Sequence, residues 1–259
     1  MRCIVRLTKK RVERNMKILV FSAHAADFCT RAGGTIAKHV QNGDTVYVIA
    51  LSDGERSESG GLYEGGVRPP LDEVRAIRRE EAANAAAILG AGIDFLGWND
   101  LSFDYSVDLV KQLAEFIRAF APDALLSHHG PDPVSMDHER TWQLVVNALQ
   151  AATAPGLESD YPPAPRLPLF LFEATNPMTE LEGFNPDFYV DITDTWDVKL
   201  RALQAYHRAQ QFLEPAYTDV ARRRAAQARF ITDSSTIEYA EAFERMWPWV
   251  GQSLPMNDL

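Results

Sequence analysis

Met16 to Thr35 reads MKILVFSAHAADFCTRAGGT, and this stretch decides the fold. Its apolar run, Ile18-Leu19-Val20-Phe21, is short, rich in branched side chains and bounded by small and polar residues. That is the pattern of a strand buried on both faces of a parallel sheet. The run ends at Ser22-Ala23-His24-Ala25-Ala26-Asp27, and a helix is expected to open near Arg31-Ala32-Gly33-Gly34. His24 and Asp27 thus fall on the loop at the strand's carboxyl end, where open α/β sheets place their ligands. Capping of the next helix would explain the same two side chains equally well. The downstream sequence has to separate these readings.

Working outward, Thr45 to Leu51 (TVYVIAL) is a second buried strand, so strand, helix and strand form a right-handed βαβ unit. Ser57 to Pro70 is a glycine-rich loop long enough to act as a lid or substrate loop. An Ala-rich helix follows from Leu71 to Leu89, stopped by Gly90, and then a short strand, Ile93 to Leu96. Val107 to Phe120 is amphipathic, Ala124 to Ser127 is a strand, and Glu139 to Ala151 a helix. Leu169 to Glu173 and Phe188 to Ile192 are expected strands, Trp196 to Phe212 a helix, and the remainder to about Trp247 helical. The expectation is a Rossmann-like three-layer α/β fold, its mainly parallel sheet flanked by helices on both faces. Residues 1–15, basic and without periodicity, read as a non-core extension, and 16–259 as one domain with a helical C-terminal region.

Bulk properties narrow the function. The 259 residues are 46% hydrophobic and 24% charged, ample for one large core. A net charge of −10 without any basic run after the first fifteen residues argues against nucleic acid. No stretch approaches the roughly 20 apolar residues of a membrane span. Two cysteines, Cys3 and Cys29, give no disulfide framework and fit a reducing cytoplasm. The aromatic stretch Phe243 to Val250, with Trp247 and Trp249, reads either as a homo-oligomer interface or as a packed tail.

The chemistry comes from superposing the loops. Parallel strands deliver their carboxyl ends to one sheet edge, so His24/Asp27, Asp53/Glu55 and the segment His128 to His138 should converge. Two imidazoles and a carboxylate with an open position form a recurring catalytic zinc set. His24, Asp27 and His138 supply it, leaving Glu55 or Asp137 to move protons. Manganese or iron would also accept such ligands. Of the adjacent pair His128-His129, alternation makes His129 the surface residue. No G-x-S-x-G elbow and no phosphate loop is present.

These residues resemble a known family. Ala23-His24-x-x-Asp27 with Ala32-Gly33-Gly34-Thr35, then Ser52-Asp53-Gly54-Glu55, Arg78-x-x-Glu81, Asp137-His138, Asp191-Ile192-Thr193, Lys199 and His207-x-x-Gln210 follow the motif order of the PIG-L/LmbE metal-dependent de-N-acetylases. The resemblance implies His24, Asp27 and His138 as metal ligands. Two positions depart from it. Ala26 stands where the deacetylases carry their general base, and Ser135 where they carry an oxyanion-stabilising His. Each such group contributes about 10² to 10⁴ in rate, so amide hydrolysis should be poor.

The 4-oxalomesaconate hydratase branch of this superfamily is similar at those departures. Ser22 to Phe28 (SAHAADF), Leu51 to Ser59 (LSDGERSES) and the spacing His128, Asp132-Pro133, Asp137-His138 match its patterns. The branch implies metal-dependent hydration of an unsaturated oxo-carboxylic acid, with amide hydrolysis as the alternative. Arg31, Arg56 and His128 are then the substrate-binding candidates for a small anionic carboxylate, since guanidinium grips carboxylate bidentately. One mismatch remains: Ala174-Thr175-Asn176 follows Glu173 where the hydratases look to carry a His.

Overall fold

Strand β1 (Lys17–Ser22) is the axis of a computed structural model that describes residues 15–101, 103–173, 175, 181, 183–248 and 250. Ile18 and Val20 belong to the core on one face of the sheet, and Leu19 and Phe21 to the core on the other. An uninterrupted apolar run is what such a doubly covered strand requires. Parallel partners flank it: β2 (Thr45–Ser52) on one side and β4 (Ala124–His128) on the other. Beyond them lie β3 (Gly92–Trp98), β5 (Leu169–Phe172), β6 (Phe188–Asp191) and β7 (Ala240–Arg245), in the order β3-β2-β1-β4-β5-β7-β6.

Helices α1 (Asp27–Gln41), α2 (Leu71–Leu89), α5 (Trp196–Gln204) and α6 (Leu213–Thr232) cover one face, with Phe28, Ile36, Leu89, Leu203 and Leu213 in its core. Helices α3 (Val107–Phe120) and α4 (Met136–Thr153) cover the other through Leu113, Ile117, Leu144 and Val145. The expected three-layer α/β fold is the one observed.

Four boundaries differ from expectation. Helix α1, expected to open near Arg31, already starts at Asp27, so Asp27 is its first residue rather than part of the loop. The C-terminal region is not wholly helical: Ala240–Arg245 is strand β7, antiparallel to β5 and β6. Its Ala and Glu residues favour helix, but pairing with two neighbours in the sheet outweighs that weak preference. Helix α5 stops at Gln204, so His207 and Gln210 lie in turns rather than on a helix. Helix α4 starts at Met136, which puts Asp137 and His138 on its first turn. Residues 1–14, Ser102, Ala174, 176–180, Glu182, Trp249 and 251–259 lie outside the described residues, and so do the expectations for the N-terminal extension before Asn15 and for the mismatch at Ala174 and Asn176. Of the aromatic stretch, Phe243 is buried in β7 while Trp247 and Val250 are exposed.

Helix α1 is pressed unusually close to its neighbours. A Cβ at Gly34 would sit 2.6 Å from Ile192 Cδ1, so only glycine allows this approach. Glu241 on β7 accepts the Gly34 and Thr35 amides at 2.9 and 2.8 Å. Lys199 Nζ donates to the Thr30 carbonyl at 2.8 Å and to Glu241 at 2.6 Å. A buried ion pair therefore stands in for helix hydrogen bonds where α1 meets α5 and β7. Among the described residues no helix is long and apolar enough to cross a membrane.

Candidate active site

The chain leaves β1 and β4 at the point where the strand order reverses, and the loops there diverge to open a cleft. Ser22 shapes the first loop. Its hydroxyl donates to the His24 carbonyl at 2.7 Å and accepts the Phe28 amide at 3.1 Å. Asp27 completes the turn: Oδ2 accepts the His24 amide at 2.7 Å, and Oδ1 accepts from Arg31 Nη1 at 2.6 Å. The carboxylate is thereby fixed before any ligand arrives. The second loop ends in Ser135, whose hydroxyl caps α4 by accepting the His138 amide.

The two imidazoles are held in the same way. His138 Nδ1 donates to Asp132 Oδ2 at 2.7 Å, and His24 Nε2 to Asp137 Oδ2 at 3.1 Å, because a carboxylate only accepts. Asp137 is itself anchored by the Leu101 amide at 2.7 Å. The inner nitrogens, His24 Nδ1 and His138 Nε2, then lie 3.3 Å apart. Glu58 brings Oε1 to 3.3 Å from His24 Nδ1. One donor atom each from His24, Asp27, Glu58 and His138 lies within 4.8 Å of all the others.

This donor set fits a divalent metal. Histidines that bind metal characteristically give their outer nitrogen to a carboxylate, which fixes the tautomer. The electrostatics agree. Burial opposes charge on His24, yet Glu58, Asp137 and Asp27 hold its pKa well above the ordinary value. Burial also opposes charge on Asp27, but Arg31 and His138 hold its carboxyl well below the usual range. Negative potential is concentrated where the four donors meet, and a cation there would relieve it. The donors open onto a cavity of about 550 Å³ bordered by His24, Glu58, His138, Thr175 and Gln210.

The other expected site residues have different partners. Glu55 is fully buried, and its Oε1 accepts from Arg56 and Arg75; it is not one of the four clustered donors. Asp137 is committed to His24 and Leu101. Arg31 is buried against Asp27 and the Glu173 carbonyl, 3.0 Å from Nε. Arg56 pairs with Glu55 and Asp100. His128 is fully buried, and its Nε2 accepts the Ala23 amide at 3.0 Å. Burial and the neighbouring His138 lower its pKa to about 3, and its Nε2 is already engaged by the Ala23 amide. His129 is buried too, its Nδ1 3.3 Å from Glu244, because β7 and the Phe184 ring cover that side of the loop.

Sequence reasoning missed Glu58, Asp132 and Gln210. The Leu51 to Ser59 motif contained Glu58, which the loop, turning at the left-handed Gly54 (φ +68°), brings to 3.3 Å from His24. Asp132 and Gln210 lay in matched motifs without an assigned role.

Residues 19–149 match the family model for GlcNAc-PI de-N-acetylase, PIG-L. The chain is 38% identical over 256 residues to the 4-oxalmesaconate hydratase of Pseudomonas putida KT2440, covering 94% of this chain and 96% of that protein. It is 29% identical to the diacetylchitobiose deacetylase of Thermococcus kodakarensis, over 78% of this chain and 72% of that one. The crystal structure of GalB, the 4-carboxy-2-hydroxymuconate hydratase of P. putida KT2440, superposes with a TM-score of 0.86 at 37% identity, covering 93% of this chain and all of that one. With the family model matching half of its length and a 38% identical hydratase relative over 94% of it, this chain belongs to the PIG-L family.

Proposed function

We propose that the protein is a metal-dependent hydro-lyase that adds water across a carbon–carbon double bond conjugated to an oxo-carboxylic acid, 4-oxalomesaconate or a close relative. The observation that carries this reading is the position of Glu58 beside His24, Asp27 and His138, the three donors this reading leaves to the metal. A carboxylate able to move protons stands 3.3 Å from His24, while position 26, where a deacetylase base would stand, is a buried alanine. The 38% identity to a hydratase over nearly the full length supports it.

His24, Asp27 and His138 would hold the metal, and zinc suits two imidazoles with a carboxylate. When bound it supplies Lewis-acid polarisation of the substrate's oxo-acid oxygens. The rest falls to the chain. Glu58 takes one proton from water as the water oxygen bonds to the β-carbon and the π electron pair shifts onto the conjugated oxo group. Glu58 then returns that proton to the α-carbon, so the net change is addition of H and OH. Burial and Asp27 oppose charge on Glu58, but His24 and His138 hold its carboxyl below the ordinary value. Its Oε1 lies 3.3 Å from His24 Nδ1, and Oε2 3.7 Å from the fully buried Arg78 guanidinium. Thr175 donates to Asp132 at 2.8 Å and so tightens the hold on His138. Among the described residues bordering the cavity there is no Lys or Arg, so the metal would have to offset much of the substrate's negative charge.

The test is loss of the conjugated dienol absorbance of 4-oxalomesaconate with zinc-reconstituted protein, against His138→Ala. Turnover that vanishes in the variant supports the reading. Absence of turnover with metal bound overturns it.

A further inference from the structure

We infer that Gln210 is a substrate-contacting residue whose side-chain oxygen accepts a hydrogen bond from the O–H group that the reaction adds. This rests on the hydratase reading above.

Gln210 borders the same cavity as Glu58, His24 and His138, yet the residue is only 7% exposed. Its Oε1 is buried and has no hydrogen-bond partner among the described residues. A buried acceptor left unpaired is costly, and native proteins rarely keep one without a use. Oε1 needs a donor, and the one the reaction brings is water before addition or the new product hydroxyl after it.

The surrounding structure holds Gln210 in place. Glu81 Oε1 accepts the amides of Arg208 and Ala209, both at 3.1 Å, and fixes the turn that carries Gln210. The Gly61 amide donates to the Ala209 carbonyl at 2.9 Å, joining this turn to the loop that carries Glu58. A Cβ at Gly61 would lie 2.4 Å from the Arg208 carbonyl oxygen, so the approach of the two loops depends on that glycine. The second oxygen of Glu81 takes Arg78 Nη1 at 3.1 Å, and Arg78 Nη2 faces Glu58 Oε2. One buried carboxylate thus anchors both sides of the cavity, the proton-moving Glu58 and the hydrogen-bonding Gln210. Water has two protons: Glu58 takes one, and Gln210 accepts a hydrogen bond from the other, which orients the oxygen lone pair toward the double bond.

The experiment compares zinc-loaded wild type, Gln210→Leu and Gln210→Glu for turnover and for binding of two inhibitors, the hydrated product and its analogue lacking the new hydroxyl. Metal content and thermal midpoint are measured alongside. The expected result is a wild-type preference for the hydroxylated inhibitor that falls about tenfold in Gln210→Leu, the scale of one lost hydrogen bond, with kcat reduced and metal content unchanged. Gln210→Glu, which keeps an acceptor, retains more of the preference. Should Gln210→Leu not fold, Gln210→Glu and Gln210→Met carry the same comparison. An unchanged preference in the apolar variant, with wild type turning over normally, overturns the assignment and leaves the hydratase reading standing. No turnover by wild type overturns both.

Discussion

His24 Nδ1 and His138 Nε2 stand 3.3 Å apart, and each ring is aimed by a carboxylate on its opposite nitrogen, Asp137 for His24 and Asp132 for His138. Those carboxylates set the tautomers, so their effect should be read in metal affinity. Asp132→Asn and Asp137→Asn are expected to weaken metal binding by about 10- to 100-fold while leaving the fold intact. Competition with a chromophoric chelator measures this, and wild-type affinity in both variants would contradict the role.

Glu55 and Glu58 are three residues apart and should behave oppositely. Glu58→Gln is expected to abolish turnover with the thermal midpoint nearly unchanged, because Glu58 faces the donor cluster and is partly exposed. Glu55→Gln instead disrupts a buried carboxylate that accepts from Arg56 and Arg75. It should lower stability by about 1–3 kcal/mol and leave kcat of the folded fraction close to wild type. Steady-state kinetics alongside calorimetry separates the two. Equal loss of kcat in both variants would reject the assignment.

That distinction marks how far the sequence could be read. Ile18 to Phe21 and Thr45 to Leu51 identified themselves as doubly buried strands because the apolar run was unbroken. With parallel strands the convergence of His24, Asp27 and His138 then followed from topology alone. That Glu58 rather than Glu55 lies beside His24 did not, because both sit in a loop without periodicity that turns at the left-handed Gly54. The fate of His128 was equally hidden. Whether an imidazole at a strand end faces a ligand or a backbone amide is settled by the Ala23 N–H, more than a hundred residues away in the chain. Strand β7 was misread for a related reason: Ala and Glu carry little β preference, and β5 and β6 supply the pairing that propensity does not.

His128 offers a pH test. Its pKa is lowered from 6.5 to about 3 in the fold, so below pH 6.5 the unfolded chain binds a proton that the folded protein does not. The stability contribution of neutral His128 is fully present above pH 6.5 and is lost as pH falls toward 3. In His128→Asn, which keeps an acceptor for the Ala23 amide, denaturant-derived stability should fall less steeply across that window. The expected difference is about one proton, or about 1.4 kcal/mol per pH unit. Superimposable acid limbs for the two proteins would mean that His128 is already charged in the fold.

The last prediction concerns Lys199 and Glu241, which stitch α1 to α5 and β7. Lys199 Nζ sits 2.6 Å from Glu241 Oε1 with both side chains buried, and the same carboxylate holds the Gly34 and Thr35 amides. Removing only the lysine leaves a buried negative charge and strips the Thr30 carbonyl of its donor. Lys199→Met should therefore cost about 3–5 kcal/mol. Adding Glu241→Gln removes the stranded charge while keeping an acceptor for a backbone amide, so the double variant should be more stable than Lys199→Met alone. A double-mutant cycle by chemical denaturation reads the coupling directly. Strict additivity would show that the two charges do not act as a pair. Because α1 begins at Asp27, loosening its far side should also weaken metal binding in Lys199→Met, and the second substitution should partly restore it.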